Sequence, residues 1–301
     1  DAVVITHAHY DHYAGLGSLY RVVWDAYNLE LANTQMKVYL AVESEVAISG
    51  STESVEISFG GETRVEVGAR SLHESPAGTI TVPDDTGALM DAVSLLGSAL
   101  KTTTCERSFP TLRGHPPLLE PGEEFTVEGD IERPDTGVKI EVPERREAIY
   151  AVAPLAFYLG ASVVPGEKPR LLTDELSYSL DAPDGFEAAV RRVLQQVFFL
   201  DCVTRTEGYY EVDLRERELV EPDVDLDFES LYDAPLAEQL RRYLEIPFEV
   251  VEPHLPQWKV TMDVSPTHEN VAVLPFAADE LAFVRCPSEP DPSVVKPQPD
   301  E

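Results

Sequence analysis

The sequence predicts an α+β protein in which a β-rich N-terminal part, built from antiparallel hairpins, precedes a mixed α/β part with two main helices. Two observations predict this order. Alternating apolar residues around short polar or glycine turns recur between residues 27 and 82, a pattern that is typical of strands. Apolar residues at helical spacing recur at residues 185–200 and 234–244, in the second half of the chain.

The N-terminal part should contain two hairpins. Residues 27–31 and 36–42 flank a polar turn, which predicts the first hairpin. Residues 55–59 and 63–67 flank the pair Gly60-Gly61, which predicts the second, because two glycines suit a tight turn. Further short strands are expected, and they lie at residues 79–82, 125–127 and 137–142.

The helices are expected in three places. Asp84 and Asp85 are candidates to cap a helix near residues 86–101. Residues 185–200 carry an apolar stripe with Arg and Gln on the opposite face, and Pro235 suits the first turn of the helix at residues 234–244. Residues 148–159 form a strongly apolar run. We see no internal repeat in the sequence.

These elements suggest three segments along the chain. We expect a β-rich domain at residues 1–145, an α+β domain at residues 146–286, and an acidic, proline-rich linker at residues 287–301. The chain begins with Asp1, close to a hydrophobic strand, and ends in this linker. We therefore expect a fragment of a longer protein.

The composition is strongly acidic, with 55 acidic and 23 basic residues and a formal charge of -32. Such a charge destabilises the compact state in dilute salt, whereas at about 1 M salt the Debye length falls to about 3 Å and screens the repulsion. The basic residues are 6 Lys and 17 Arg. Scarce Lys with excess Asp and Glu is typical of haloarchaeal proteins, so we expect a halophilic source.

The same composition excludes several classes of protein. No basic stripe suits nucleic acid, and no apolar run of about 18 residues suits a membrane span. The three cysteines, Cys105, Cys202 and Cys286, lie far apart, so they predict neither a disulfide framework nor a cysteine zinc site. Cys202 is expected to be a core thiol. The expected compartment is the cytoplasm.

A histidine motif follows the first short strand. Residues 6–12 read Thr-His-Ala-His-Tyr-Asp-His, which matches H-x-H-x-D-H and resembles the signature of the metallo-β-lactamase superfamily. Imidazoles and a carboxylate at this spacing suit two zinc ions that activate a bridging water. The alternative is an exposed strand or turn that binds no metal.

The resemblance implies a set of zinc ligands. His7 and His9 would bind the first zinc, and Asp11 and His12 the second. His73 lies where that family often places its next histidine. The remaining candidates are His115 or His254 for the last histidine, and Asp130 or Asp174 for the bridging carboxylate.

Two polar clusters are further candidates. Arg107, Arg113 and His115, with Lys101 nearby, form a local basic cluster that would suit an anion, or would pair with surrounding carboxylates. Asp201 and Arg205 follow the clearest helix. They would belong to a site, or form a buried pair that holds the turn.

A wider resemblance covers more than half of the chain. From about residue 27 onward the chain resembles an uncharacterised haloarchaeal family in which such a region precedes a CHAT module, a caspase-like peptidase fold. The stretches that carry it are residues 27–42, 67–76, 97–117, 150–166, 197–210, 231–240 and 251–264. The resemblance implies a non-catalytic interaction, regulatory or structural region, with a protein partner or the adjacent CHAT module as its target and no cofactor. The alternative is the two-zinc hydrolase.

Overall fold

The structure, a computed structural model, describes residues 3–5, 20–31, 36–50, 55–71, 76–208, 214–258 and 260–287. Strands dominate its N-terminal part and a mixture of helices and strands follows, which confirms the predicted α+β class. The chain divides into two compact units, Asp1–Leu72 and His73–Glu301. The expected boundary near residue 145 falls inside the second unit, because residues on both sides of it share one hydrophobic core. The expected linker lies mostly outside the described residues.

The described residues of the first unit form one five-stranded sheet. Its strands are β1 (Val3–Ile5), β2 (Tyr20–Leu31), β3 (Met36–Gly50), β4 (Val55–Phe59) and β5 (Val65–Ser71). β1 lies parallel to β2, and β2 pairs with β3 as an antiparallel hairpin. The register of Leu31 with Val38 and of Tyr27 with Val42 confirms the first predicted hairpin.

The second predicted hairpin is wrong. β4 and β5 do not pair with each other across Gly60-Gly61. Both run antiparallel to β3, β4 along its C-terminal half and β5 along its N-terminal half. The glycines lie at a break between β4 and β5, which follow one another along the same side of β3. At this break the Gly60 N–H donates to the Glu45 carbonyl at 2.9 Å, and Thr63 Oγ1 donates to Ser44 Oγ at 3.0 Å. Glycine suits such a break as well as a turn.

The second unit contains an internal duplication that the sequence does not reveal. Its first half is β6 (Gly78–Val82), α1 (Thr86–Leu95), β7 (Leu118–Pro121) and β8 (Thr126–Gly129). Its second half is β9 (Lys139–Val142), α2 (Arg146–Leu159), β10 (Ser162–Pro165), β11 (Arg170–Leu172) and β12 (Ser177–Ser179).

The two halves share one topology. In each, the strand after the helix lies parallel to the first strand, and the next strand lies antiparallel on its other side. The sheet orders are therefore β7-β6-β8 and β10-β9-β11-β12. The turn into each helix also matches, since Asp85 N–H donates to the Pro83 carbonyl at 2.7 Å and Arg145 N–H to the Pro143 carbonyl at 2.6 Å.

The apolar run at residues 148–159 is a fully enclosed helix, α2. It packs against α1 and against the helices that follow it, so it needs no polar face. Pro154 lies inside it, and Gly160, with φ of 55°, ends it. Asp85 caps α1 by accepting from the Ala88 N–H at 2.8 Å, as predicted for this pair of aspartates.

The remaining elements complete the core. The two predicted main helices are present as α3 (Phe186–Thr204) and α6 (Leu236–Leu244). Between and after them come α4 (Arg215–Val220), α5 (Phe228–Tyr232), α7 (Phe248–Val251), β13 (Thr261–Asp263), α8 (Leu274–Asp279) and β14 (Phe283–Arg285). Within the described ranges, no helix combines the length and the apolar character needed to cross a membrane.

Candidate functional site

The segment at residues 102–117, which holds the predicted basic cluster, packs against the C-terminal half of α3. Two short 3₁₀ turns, Cys105–Ser108 and Pro110–Leu112, fold it back on itself. Leu100 and Arg113 close its base through an isolated β-bridge. This folding turns Arg107 inward, and its side chain has no exposed surface.

Arg107 forms an enclosed ion pair with Asp201 of α3. Its Nη2 lies 2.7 Å from Asp201 Oδ2, and both side chains are 0% exposed. Arg107 Nη1 donates to the Thr103 carbonyl at 2.9 Å and to Gln239 Oε1 at 3.4 Å. The Tyr158 hydroxyl donates to Asp201 Oδ2 at 2.5 Å. The pair therefore joins the loop to α2, α3 and α6.

Burial dominates the protonation chemistry of this cluster. Burial raises the pKa of Asp201 to about 6, although the Arg107 guanidinium and the Tyr158 hydroxyl act to lower it. Burial, reinforced by the Asp201 carboxylate, raises the pKa of Tyr158 well above its usual range, so its phenol remains a proton donor. Asp201 Oδ1 and Arg107 Nε have no hydrogen-bond partner among the described residues.

The other basic residues of the cluster contact separate partners. Arg113 Nη1 donates to the backbone carbonyls of Arg107 and Ser108, at 2.9 and 3.0 Å. His115 Nδ1 lies 2.7 Å from the Pro116 carbonyl oxygen, and its ring meets Phe276 edge-on. The structure therefore does not bring Arg107, Arg113 and His115 into one open anion pocket. Of the expected carboxylate pairings, the structure shows the one at Arg107, whereas Arg113 and His115 contact backbone carbonyls instead.

Arg205 is not the ion-pair partner of Asp201. Its Nη1 donates to Ser108 Oγ at 2.8 Å, and its guanidinium stacks 3.8 Å from the centre of the Phe109 ring. It therefore holds the outside of the same loop. The expectation of a buried pair that fixes this turn is right about Asp201 but names the wrong arginine, because the true partner comes from a segment far away in the chain.

The predicted zinc ligands are not tested by the structure. They lie outside the described residues, and they are His7, His9, Asp11, His12 and His73. Of the remaining candidates, His254 ends a 3₁₀ turn, Glu252–His254. Within the part of the chain that the structure describes, no three His, Cys, Asp or Glu side chains are arranged to hold a metal ion.

The cysteines are not activated. Burial raises the pKa of the Cys105 thiol far above its usual range, and the nearby Asp201 raises it further. Burial likewise raises the pKa of Cys202, and raises that of Cys286 to about 12. Nucleophilic cysteines need a lowered pKa, so these thiols stay protonated and unreactive at neutral pH. Cys202, which was expected to be a core thiol, is only partly buried.

Two open clefts flank the first half of α3. One, of about 480 Å³, lies between α2, α3 and β14, and Leu155 and Phe283 are among its apolar walls. The other, of about 910 Å³, lies between α3 and the segment after α6, where Trp258 contributes to its wall. Trp258 also stacks on Phe283 with 5.0 Å between ring centres.

Some polar side chains at these clefts have partners within the protein. Arg192 bonds both carboxylate oxygens of Asp184, and Glu187 Oε1 accepts from the Cys286 N–H at 2.9 Å. Among the described residues that line the clefts, no histidine, serine or cysteine stands beside a general base.

Sequence reasoning missed most of the Arg107 network. Tyr158, Gln239 and Tyr243 are polar residues within otherwise apolar helix faces, and this was the available signal, because a polar group in the core needs a partner. Comparison of the chain with protein-family models, with curated proteins and with solved structures returned no match in any of the three.

Proposed function

We propose that this chain is a non-catalytic interaction or regulatory region of a larger halophilic archaeal protein, and that it acts on an adjacent caspase-like module of the CHAT type. One observation carries the proposal. The polar groups buried deepest in the described residues are committed to one another, with Arg107 paired to Asp201, and burial raises the pKa of the Cys105 thiol. A structure of this kind suits binding to another molecule through its surface.

The composition supports the same proposal. The formal charge of -32 indicates a solvated acidic surface. Such a surface explains most of the carboxylates, so they do not require an active site. The acidic run at residues 221–227 fits this, because its Glu and Asp residues are all exposed. Nucleic acid and membranes are not proposed as partners, and the proposed compartment is the cytoplasm.

A binding experiment tests the proposal directly. This chain and the adjoining caspase-like module would be produced separately and mixed in about 2 M KCl, where charge repulsion is screened. Calorimetry should show saturable binding, and the peptidase activity of the module should change when the chain is added. The control is the same chain after it has been unfolded by heat and kept unfolded by denaturant. Absence of both binding and an activity change would contradict the proposal.

The H-x-H-x-D-H motif supports one alternative, a two-zinc hydrolase of the metallo-β-lactamase type. His7, His9, Asp11 and His12 are donors that zinc prefers, and they would hold the metal pair and its bridging water. Zinc bound after extensive dialysis would be measured by mass spectrometry on the wild type and on a His7→Ala/His9→Ala variant.

The control for that measurement is His268→Ala, because His268 bonds the Val82 carbonyl at 2.8 Å and lies outside the motif. About two zinc ions per chain, lost in the motif variant and kept in the control, would replace the first proposal with the second. Equal and negligible zinc in all three proteins would contradict the hydrolase alternative.

A further inference from the structure

The duplicated halves of the second unit differ at one edge. A row of side chains crosses each sheet on its buried face, because residues in register on neighbouring strands point the same way. In the first half the row consists of Leu119, Ile80 and Val127. In the second half it consists of Val163, Ile140, Leu171 and Tyr178. The second row thus has a fourth member that the first lacks.

The missing member changes the burial of its neighbour. Leu171 is 0% exposed, and β12 places Tyr178 beside it in register. Val127 occupies the equivalent position in the first half, yet it is 41% exposed, and Phe125 just before β8 is 39% exposed. The first half therefore leaves on its outer strand an apolar position that the second half covers.

The outer edge of β8 is also free of backbone pairing. β8 pairs with β6 on one side, and among the described residues no strand pairs with it on the other. Every residue from 123 to 130 is exposed. An edge strand presents unpaired N–H and C=O groups, and an added strand satisfies them while filling pockets with alternate side chains.

The surroundings of this edge are acidic. The exposed carboxylates next to or within β8 form no ion pair with a described residue, and they are Glu123, Glu124, Glu128 and Asp130. A second copy of this chain would place equal carboxylates directly opposite these across the strand pair, where like charges are destabilising although salt screens the longer-range repulsion. A strand that carries Lys or Arg would complement them.

We propose that the outer edge of β8 binds an extended segment of another polypeptide, with an aromatic or large apolar residue beside Val127 and Lys or Arg on either side. The segment would lie antiparallel to β8, as β12 does to β11. This inference rests on the proposed interaction role and gives it a surface. Its partner is defined by chemistry, so it can be tested without the caspase-like module.

The probe is a fluorescein-labelled peptide, Lys-Leu-Ser-Tyr-Ser-Leu-Lys, whose middle five residues copy residues 176–180 around β12. A second peptide has Glu and Asp at its ends, as the natural sequence has, and a third has Pro in place of Tyr. Fluorescence anisotropy would be measured with the whole chain. The basic peptide should saturate below about 1 mM protein, and the other two should bind at least about tenfold more weakly.

The decisive variant is Val127→Asp, with Val67→Asp as its matched control. Val67 is also an exposed strand valine, but it lies in β5 of the first unit. Val127→Asp adds a negative charge, so attraction by charge alone would keep or strengthen binding of the basic peptide, whereas the strand-addition proposal expects binding to fall at least about tenfold. Val67→Asp should bind as the wild type does. Circular dichroism would show that both variants are folded.

The outcomes separate this inference from the proposed function. Undiminished binding to Val127→Asp, equal binding of the proline peptide, no saturable binding, or self-association of the chain through β8 in gel filtration would overturn the inference. If the caspase-like module binds wild type and Val127→Asp equally, the interaction role stands and the β8 surface fails. If the peptide binds as expected and the module does not, the β8 surface stands and the proposed partner fails.

Discussion

The guanidinium of Arg107 and the carboxylate of Asp201 lie 2.7 Å apart with neither side chain exposed to solvent. The pair joins the loop that precedes β7 to the C-terminal half of α3, and the Tyr158 hydroxyl donates to Asp201 Oδ2. A buried pair gains little over an apolar core of the same volume, but breaking it leaves a costly unpaired charge. The pair therefore specifies the position of the loop more than it adds to total stability.

Arg107→Met should destabilise the protein strongly. The Asp201 carboxylate would lose the only cation paired with it among the described residues, and breaking such a pair costs about 3–5 kcal/mol. Denaturant unfolding at pH 7 in constant high KCl measures the loss. The matched control is Arg242→Met, because Arg242 pairs with Glu245 at the surface, where such pairs contribute about 0–1 kcal/mol. Equal losses for the two variants would contradict the role of the buried pair.

Asp201 should give the stability a distinct pH dependence. Burial raises its folded-state pKa to about 6, above its ordinary value of 3.8, so the folded state holds this proton more tightly. Its contribution to the free energy of unfolding should be greatest below pH 3.8, fall as the pH rises from 3.8 to about 6, and then stay level. The difference between wild type and Asp201→Asn, measured by denaturation at each pH, should follow this curve. A difference that rises with pH would contradict it.

The three cysteines should be unreactive in the folded protein. Their raised pKa values keep the thiols protonated, and thiolate is the reactive form. Labelling with iodoacetamide at pH 8, followed by mass spectrometry, should be slow in the native state and complete for all three after unfolding in guanidinium. Cys105, which is fully enclosed, should be the slowest. Rapid labelling of Cys105 or Cys202 in the native state would reveal an activated thiol and would support a catalytic role.

Ser94→Ala should weaken the contact between the two halves of the duplication. The Val163 N–H of β10 donates to Ser94 Oγ at 2.8 Å, and the Ser94 hydroxyl donates to the Met90 carbonyl within α1. Alanine would leave a buried N–H without a partner, at a cost of about 1–3 kcal/mol in unfolding free energy. Ser177→Ala is the control, because Ser177 is exposed on β12 and should change stability by less than about 0.5 kcal/mol.

Local pattern predicted some elements well and others not at all. α3 and α6 were predicted because each has one apolar face and one polar face, which produces a helical period. α2 was not assigned, because all residues from 148 to 159 are buried and an apolar run has no period to read. The Gly60-Gly61 pair predicted a hairpin, since a glycine pair alone does not distinguish a turn from a break along an edge.

The sequence by itself determined the α+β class, the acidic surface and the two amphipathic helices, because these depend on composition and on neighbours within a few turns of chain. It also supplies the histidine motif, which still awaits a metal measurement. Only the tertiary structure decided that Arg107 pairs with Asp201, that one topology occurs twice in the second unit, and that no described strand pairs with β8 where β12 pairs with β11. Those facts depend on strand register and on contacts between residues far apart in the chain, which local periodicity does not encode.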